Sequence, residues 1–113
     1  MGFKMKGVDF GKQDHEDAPI IKKNLEDGVL AEANKDGSIY VDRSVNLNTT
    51  RASKIIDHEK VHLDQMQRGD LDYDDKNVYW KGKAYSRSKM KEGNPNLPWE
   101  KEAYSKTDPY EKY

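Results

Sequence analysis

The stretch that decides the reading of this chain is Thr50-Arg51-Ala52-Ser53-Lys54-Ile55-Ile56-Asp57-His58-Glu59-Lys60-Val61-His62-Leu63-Asp64-Gln65-Met66-Gln67-Arg68. Ala52, Ile55, Ile56, Glu59, His62, Leu63 and Met66 fall on or beside one face of a 3.6-residue period, and Lys54, Asp57, Lys60, Asp64 and Arg68 fall on the other. The pattern predicts one amphipathic helix over 50–68, capped by Asn48 or Thr49 and stopped by Gly69. Within it stands the motif His58-Glu59-Lys60-Val61-His62. Residues four apart on a helix lie one turn above each other with Cβ atoms about 5–6 Å apart, so both imidazoles can reach a single cation. Glu59 points away from the direct ligand position but stays within reach of a water activated by that cation. Two nitrogen ligands and a neighbouring carboxylate base are the construction of a zinc hydrolase site. The plainer reading is an amphipathic helix with two half-buried polar histidines.

A zinc site needs a third protein ligand even when water fills the fourth position. The chain has no cysteine, so the ligand must come from His15, an Asp or a Glu. The segment Pro98-Trp99-Glu100-Lys101-Glu102-Ala103-Tyr104 reads as the start of a second helix, with Pro98 near its first turn and carboxylates beside its N-terminus. Glu100 and Glu102 are two apart and cannot both face one metal from a helix, which leaves two candidates.

A His-Glu-x-x-His helix followed by a helix carrying Glu-x-x-Ala, here Glu100 to Ala103, resembles the gluzincin metallopeptidases of the thermolysin and neprilysin type. It is more closely similar to the very small gluzincin-like proteins of microbes and phages. The resemblance covers mainly Ile55 to Met66 and Pro98 to Tyr104. It implies an α+β, zincin-like domain with a β-hairpin or small sheet, an active-site helix and a C-terminal glutamate helix. It further implies Zn2+ held by His58, His62 and Glu100, the last preferred over Glu102 because Ala103 completes the pattern. Glu59 would be the general base in hydrolysis of a peptide or protein substrate, with Tyr104, Tyr85 and Arg87 as candidate donors to the oxyanion. The family often carries Asp four residues after the ligand Glu to orient a ligand histidine; here that position is Tyr104, whose phenol could take the role. Lys60 and Asp64 also depart from the family's uncharged residues, and their spacing of four predicts a surface ion pair. These departures motivate a second reading, a zincin-like binding or regulatory protein, such as a phage or mobile-element accessory factor, that keeps its metal with little or no turnover.

Upstream, Val29 to Ala33 and Ser38 to Asp42 flank Asn34-Lys35-Asp36-Gly37, a hairpin signal. The resemblance would make Ser38 to Asp42 the strand beside the metal cleft with which an extended substrate pairs. Downstream, Asp70, Asp72 and Asp74 alternate as at the start of a calcium loop. Asp75 replaces the turn glycine, however, and Lys81 stands where the bidentate Glu belongs, so the stretch reads as a solvated turn. Val78 to Tyr85 follows as an aromatic hairpin bending at or near Gly82, with Tyr79, Trp80 and Tyr85 packing the core or lining a cleft.

The 113 residues suit one domain, and 34% hydrophobic against 36% charged residues, with a mean hydropathy of −1.16, allow only a small core. A bound metal would then add folding free energy as well as chemistry. Lys+Arg 20 against Asp+Glu 21 gives a net charge of −1, and Lys81, Lys83, Arg87, Lys89 and Lys91 form only a local basic run, a poor basis for nucleic-acid binding. Met1 to Gly7 is cationic without a following apolar run, and no stretch approaches membrane-spanning length. With no cysteine, the expectation is a cytoplasmic protein with no membrane partner. An N-terminal arm over about 1–17, including His15, and a tail over about 106–113, including Asp108-Pro109, are expected to be mobile. No heptad pattern points to an oligomeric state.

Overall fold

The computed structural model describes residues 17–107; most of the expected arm, with His15, and the tail from residue 108, with Asp108-Pro109, lie outside the described residues. The order is β1 (Ile20–Lys23), β2 (Ala31–Ala33), β3 (Ile39–Asp42), α1 (Thr50–Gln67), β4 (Leu71–Tyr73), β5 (Asn77–Trp80), β6 (Lys83–Ser86), a short 3-10 turn (Arg87–Lys89) and α2 (Pro98–Lys106). The strands form two three-stranded sheets, ordered β1-β3-β2 and β4-β5-β6, so the class is α+β as expected. Helix α2 continues through Lys106, slightly into the region expected to be tail. Among the described residues no helix is long and apolar enough to cross a membrane.

Local chemistry marks both ends of α1. The Thr49 hydroxyl accepts the Ala52 N–H at 3.1 Å, which settles the cap in favour of Thr49 over Asn48. At the other end Gly69 takes φ +88°, its N–H donates to Met66 O at 3.1 Å, and the Asp70 N–H donates to Gln65 O at 3.0 Å. This pair of bonds is a Schellman motif, whose left-handed residue carries a steric penalty for any side chain. Gly69→Ala is therefore expected to lower unfolding stability by about 1–2 kcal/mol. Urea melts of the two proteins check it, and an unchanged midpoint would reject the strain argument.

The hairpin also forms as expected, through a three-residue loop. Gly37 N–H donates to Asn34 O at 3.0 Å with φ +89° at Gly37, and Asn34 N–H closes the loop on Ser38 O at 2.9 Å. The assignment of the cleft-side strand changes, however. β3 is the central strand, antiparallel to β2 and parallel to β1, so both of its hydrogen-bonding edges are taken. The free edge that faces the cleft belongs to β2. The partner that closes β3 comes from Ile20-Ile21-Lys22-Lys23, a run too short and too lacking in alternation to read as a strand.

Asp70 to Asp75 also departs from the expected turn, because Leu71 to Tyr73 pairs with β5 in register Leu71↔Trp80. Its carboxylates go to separate partners: Asp70 to Arg68, Asp72 to Lys35, and Asp74 to the Lys76 and Asn77 amides and the Tyr79 hydroxyl. They do not converge as calcium ligands would. The β5–β6 hairpin turns through Lys81 and Gly82, with φ +49° and +85°.

Two apolar clusters meet along α1. Ile39, Val41 and Val45 pack with Ala52 and Leu63, while Leu71, Val78 and Trp99 form a second group supported by Trp80 and Tyr85. Met66 touches both. Its neighbour Asp64 pairs with Arg68 at 3.2 Å, in place of the expected pair with Lys60.

Candidate metal centre

The helical spacing of α1 stacks His58 and His62, and the first turn of α2 brings Glu100 to them. His58 Nε2 lies 2.8 Å and His62 Nε2 3.2 Å from the same oxygen, Glu100 Oε1. One ligand atom from each residue lies within 4.8 Å of the others, and all three side chains are buried. The imidazoles stand edge to face, 4.9 Å apart at 81°. Among the described residues this is the group of His, Asp and Glu able to hold a metal ion. The donors fit such an ion: two ring nitrogens and a carboxylate oxygen converge in a desolvated site where three protein ligands leave a further coordination position.

Packing decides between the two carboxylates. Trp99 is 5% exposed within the second core cluster and Ala103 is 0% exposed one turn later, which turns Glu100 inward. Glu102 projects elsewhere and accepts from Gln65 Nε2 at 2.7 Å and Arg68 Nη2 at 2.5 Å.

The electrostatics follow from burial and proximity. Burial opposes the charged form of His62, but the hydrogen bond to Glu100 and the charges of Glu59 and Glu100 outweigh it and raise the pKa. Burial likewise opposes the Glu100 carboxylate, yet its bonds to His58 and His62 hold it well below the usual range. Without a metal, the pair is thus an ion pair held together by protons on the imidazole nitrogens. Glu59, also buried, is pushed up to about 7 by desolvation, with His62 and a hydrogen bond from the Ala33 N–H pulling the other way.

These shifts predict a pH optimum for stability of the metal-free protein. The depressed Glu100 contributes fully above its unfolded value of 4.5 and loses that contribution as pH falls through its folded value. The raised His62 contributes fully below 6.5 and loses its share as pH rises toward about 9. Glu59, held protonated up to about 7 while the unfolded chain ionises from 4.5, costs stability as pH rises between those values. Thermal melts in chelator should therefore peak at about pH 4.5 and decline above it, and a monotonic rise to pH 9 would contradict the ion pair.

The site opens into a cleft of about 390 Å³. Its wall is Val29 to Asn34, including all of β2, and Leu71, Val78 and Trp99 contribute apolar surface. Tyr104 packs on His58 with ring centroids 4.4 Å apart and lines the cleft. Arg87 lines it too, but donates to Glu92 at 3.0 and 3.1 Å. Tyr85, the third candidate donor, packs edge-on against Trp99, 5.1 Å away, outside the cleft lining.

Gln65 is a site residue that motif reading passed over. It is 0% exposed, and its Oε1 lies 2.8 Å from His62 Nδ1. The available signal was its place three residues after His62 and seven after His58, in phase with the buried stripe. Comparison of the chain with protein-family models, curated proteins and solved structures gives no match.

Proposed function

We propose that this protein is a zinc-dependent, gluzincin-like metallopeptidase with a zincin-like fold. The observation that carries the proposal is the convergence of His58 Nε2, His62 Nε2 and Glu100 Oε1 in a buried site at the base of a cleft, with Glu59 beside it. Zinc suits two imidazoles and one carboxylate in the absence of thiolates, and a three-ligand set is the catalytic pattern. When bound there, zinc supplies Lewis acidity that acidifies water and polarises a carbonyl.

The chain's own residues divide the remaining work. Glu59 takes the proton from the attacking water and delivers it to the leaving amine, and the Ala33 N–H holds its carboxylate toward the cleft. Tyr104 donates to the developing oxyanion, since it sits against His58 and lines the cleft. The substrate lies extended along β2. Leu30 and Asn34 use their backbone groups toward β3, so by strand alternation Ala31 and Ala33 face the other way. The Ala31 N–H and C=O and the Ala33 C=O are the groups that pair with a peptide.

Metal analysis combined with peptide-library digestion by the native protein and Glu59→Gln tests the reading. Zinc in both proteins with cleavage lost in the variant supports it. Zinc with no cleavage by either protein favours the binding or regulatory alternative, and equal digestion by both points to a contaminating protease and counts against the proposal.

A further inference from the structure

Behind His62 a line of hydrogen bonds runs through the protein to its surface. Gln65, fully buried, directs its amide nitrogen at two groups that can only accept, Trp99 O at 3.0 Å and Glu102 Oε1 at 2.7 Å. An amide NH2 has two hydrogens, and here each finds one of those oxygens. The opposite flip would set Oε1 against both acceptors, so the orientation is determined by chemistry. Oε1 is therefore held on His62 Nδ1 at 2.8 Å, and that nitrogen must carry hydrogen. A neutral imidazole carries only one hydrogen, which leaves Nε2 with its lone pair directed at the Glu100 carboxylate, 3.2 Å away. Two acceptors so placed require a cation between them: a proton in the metal-free protein, a metal ion in the loaded one. Arg68 secures the outer end of the line by donating to Glu102 at 2.5 Å, Asp70 at 2.8 Å and Asp64 at 3.2 Å.

We propose that Gln65 is the positioning residue of the metal centre, presenting His62 to the metal through Nε2 by accepting its Nδ1–H, and that Glu102 and Arg68 set the orientation of the Gln65 amide. The proposal rests on the reading of His58, His62 and Glu100 as a metal site. It places the orienting of His62 on α1 itself, while Tyr104 packs against the other imidazole, His58. Gln65 also ties α1 to α2 through Trp99 O, and that tether is the competing explanation for any effect of its loss.

Two substitutions separate the roles. Gln65→Met matches the volume and removes both the acceptor and the tether; Gln65→Glu keeps an acceptor on Nδ1 but sets oxygen against Trp99 O. In the full chain, zinc affinity from chelator competition should fall about 10–100-fold in Gln65→Met and largely recover in Gln65→Glu, although both are less stable without metal. The His62 Nδ1–H proton in zinc-loaded protein supplies a signature that tethering does not move. Its resonance should shift upfield in Gln65→Met and downfield in Gln65→Glu, where a carboxylate accepts it. Glu102→Ala, at a partly exposed side chain, tests the outer end should Gln65→Met fail to fold, with a smaller loss of affinity expected. Equal losses in the Met and Glu variants would reduce Gln65 to a tether, and native affinity in all three variants would also overturn the proposal. A native protein that takes up no zinc would instead overturn the metal site and this inference with it.

Discussion

Glu59→Gln should lower peptide-bond turnover by about 10²–10⁴-fold, the usual contribution of a positioned general acid–base group, while zinc content stays unchanged. The substitution is nearly isosteric and removes the carboxylate charge together with the ability to accept a proton. Glu59 is 8% exposed and stands beside the three ligand residues without joining the converging set, so its loss leaves the coordination atoms in place. The amide can no longer serve as acceptor for a proton from water or return one to an amine. The decisive measurement is turnover at matched zinc occupancy in native protein and variant. A variant that cleaves at the native rate would remove Glu59 from the chemistry, and one that loses its zinc would assign it to the metal site.

Removing the metal should cost this protein an unusually large share of its stability. A ligand at a thousandfold excess over its Kd stabilises the folded state by about 4 kcal/mol. In a domain of about 100 residues each kcal/mol moves Tm by about 4–8 °C, so chelation should lower Tm by roughly 15 °C or more. The chain has little to offset that loss. Among the described residues the buried apolar side chains are few, with Ile39, Val41 and Leu63 in one modest cluster and Trp99 in another. A metal held by His58, His62 and Glu100 would bind α1 to α2. His62→Ala should abolish the response, so that its melting curve is the same with zinc and with EDTA. An unchanged native curve in EDTA, with metal loss verified, would contradict a stabilising site.

Much of the architecture could be read from local chemistry because its causes are local. The period of the apolar residues, the Thr49 hydroxyl and Gly69 delimit α1 within the span of its own turns. Gly37 and Gly82 mark hairpins because few other residues accept positive φ cheaply. By contrast, the parallel pairing of β1 with β3 joins segments whose sequences carry no mutual signal, and it converts the presumed cleft strand into an interior one. The acids at 70, 72 and 74 divide across the same limit: Asp70 and Asp74 find partners within five residues, whereas Asp72 reaches Lys35 only through the fold.

The candidate site divides along the same line. The sequence alone determined that two imidazoles and a carboxylate share one stretch of helix, because a separation of four residues leaves little freedom in where their side chains lie. Only the tertiary structure recruited Gln65 behind His62 and put β2 on the cleft. It also seats Glu100, already preferred through Ala103, beside the imidazoles while Glu102 turns to Gln65 and Arg68. The bond from His58 to Glu100 spans 42 residues, and its existence depends on how Trp99 and Ala103 seat α2 in the core. Helical geometry is set by the covalent chain, whereas the meeting of two helices is set by the shape and burial of every side chain between them.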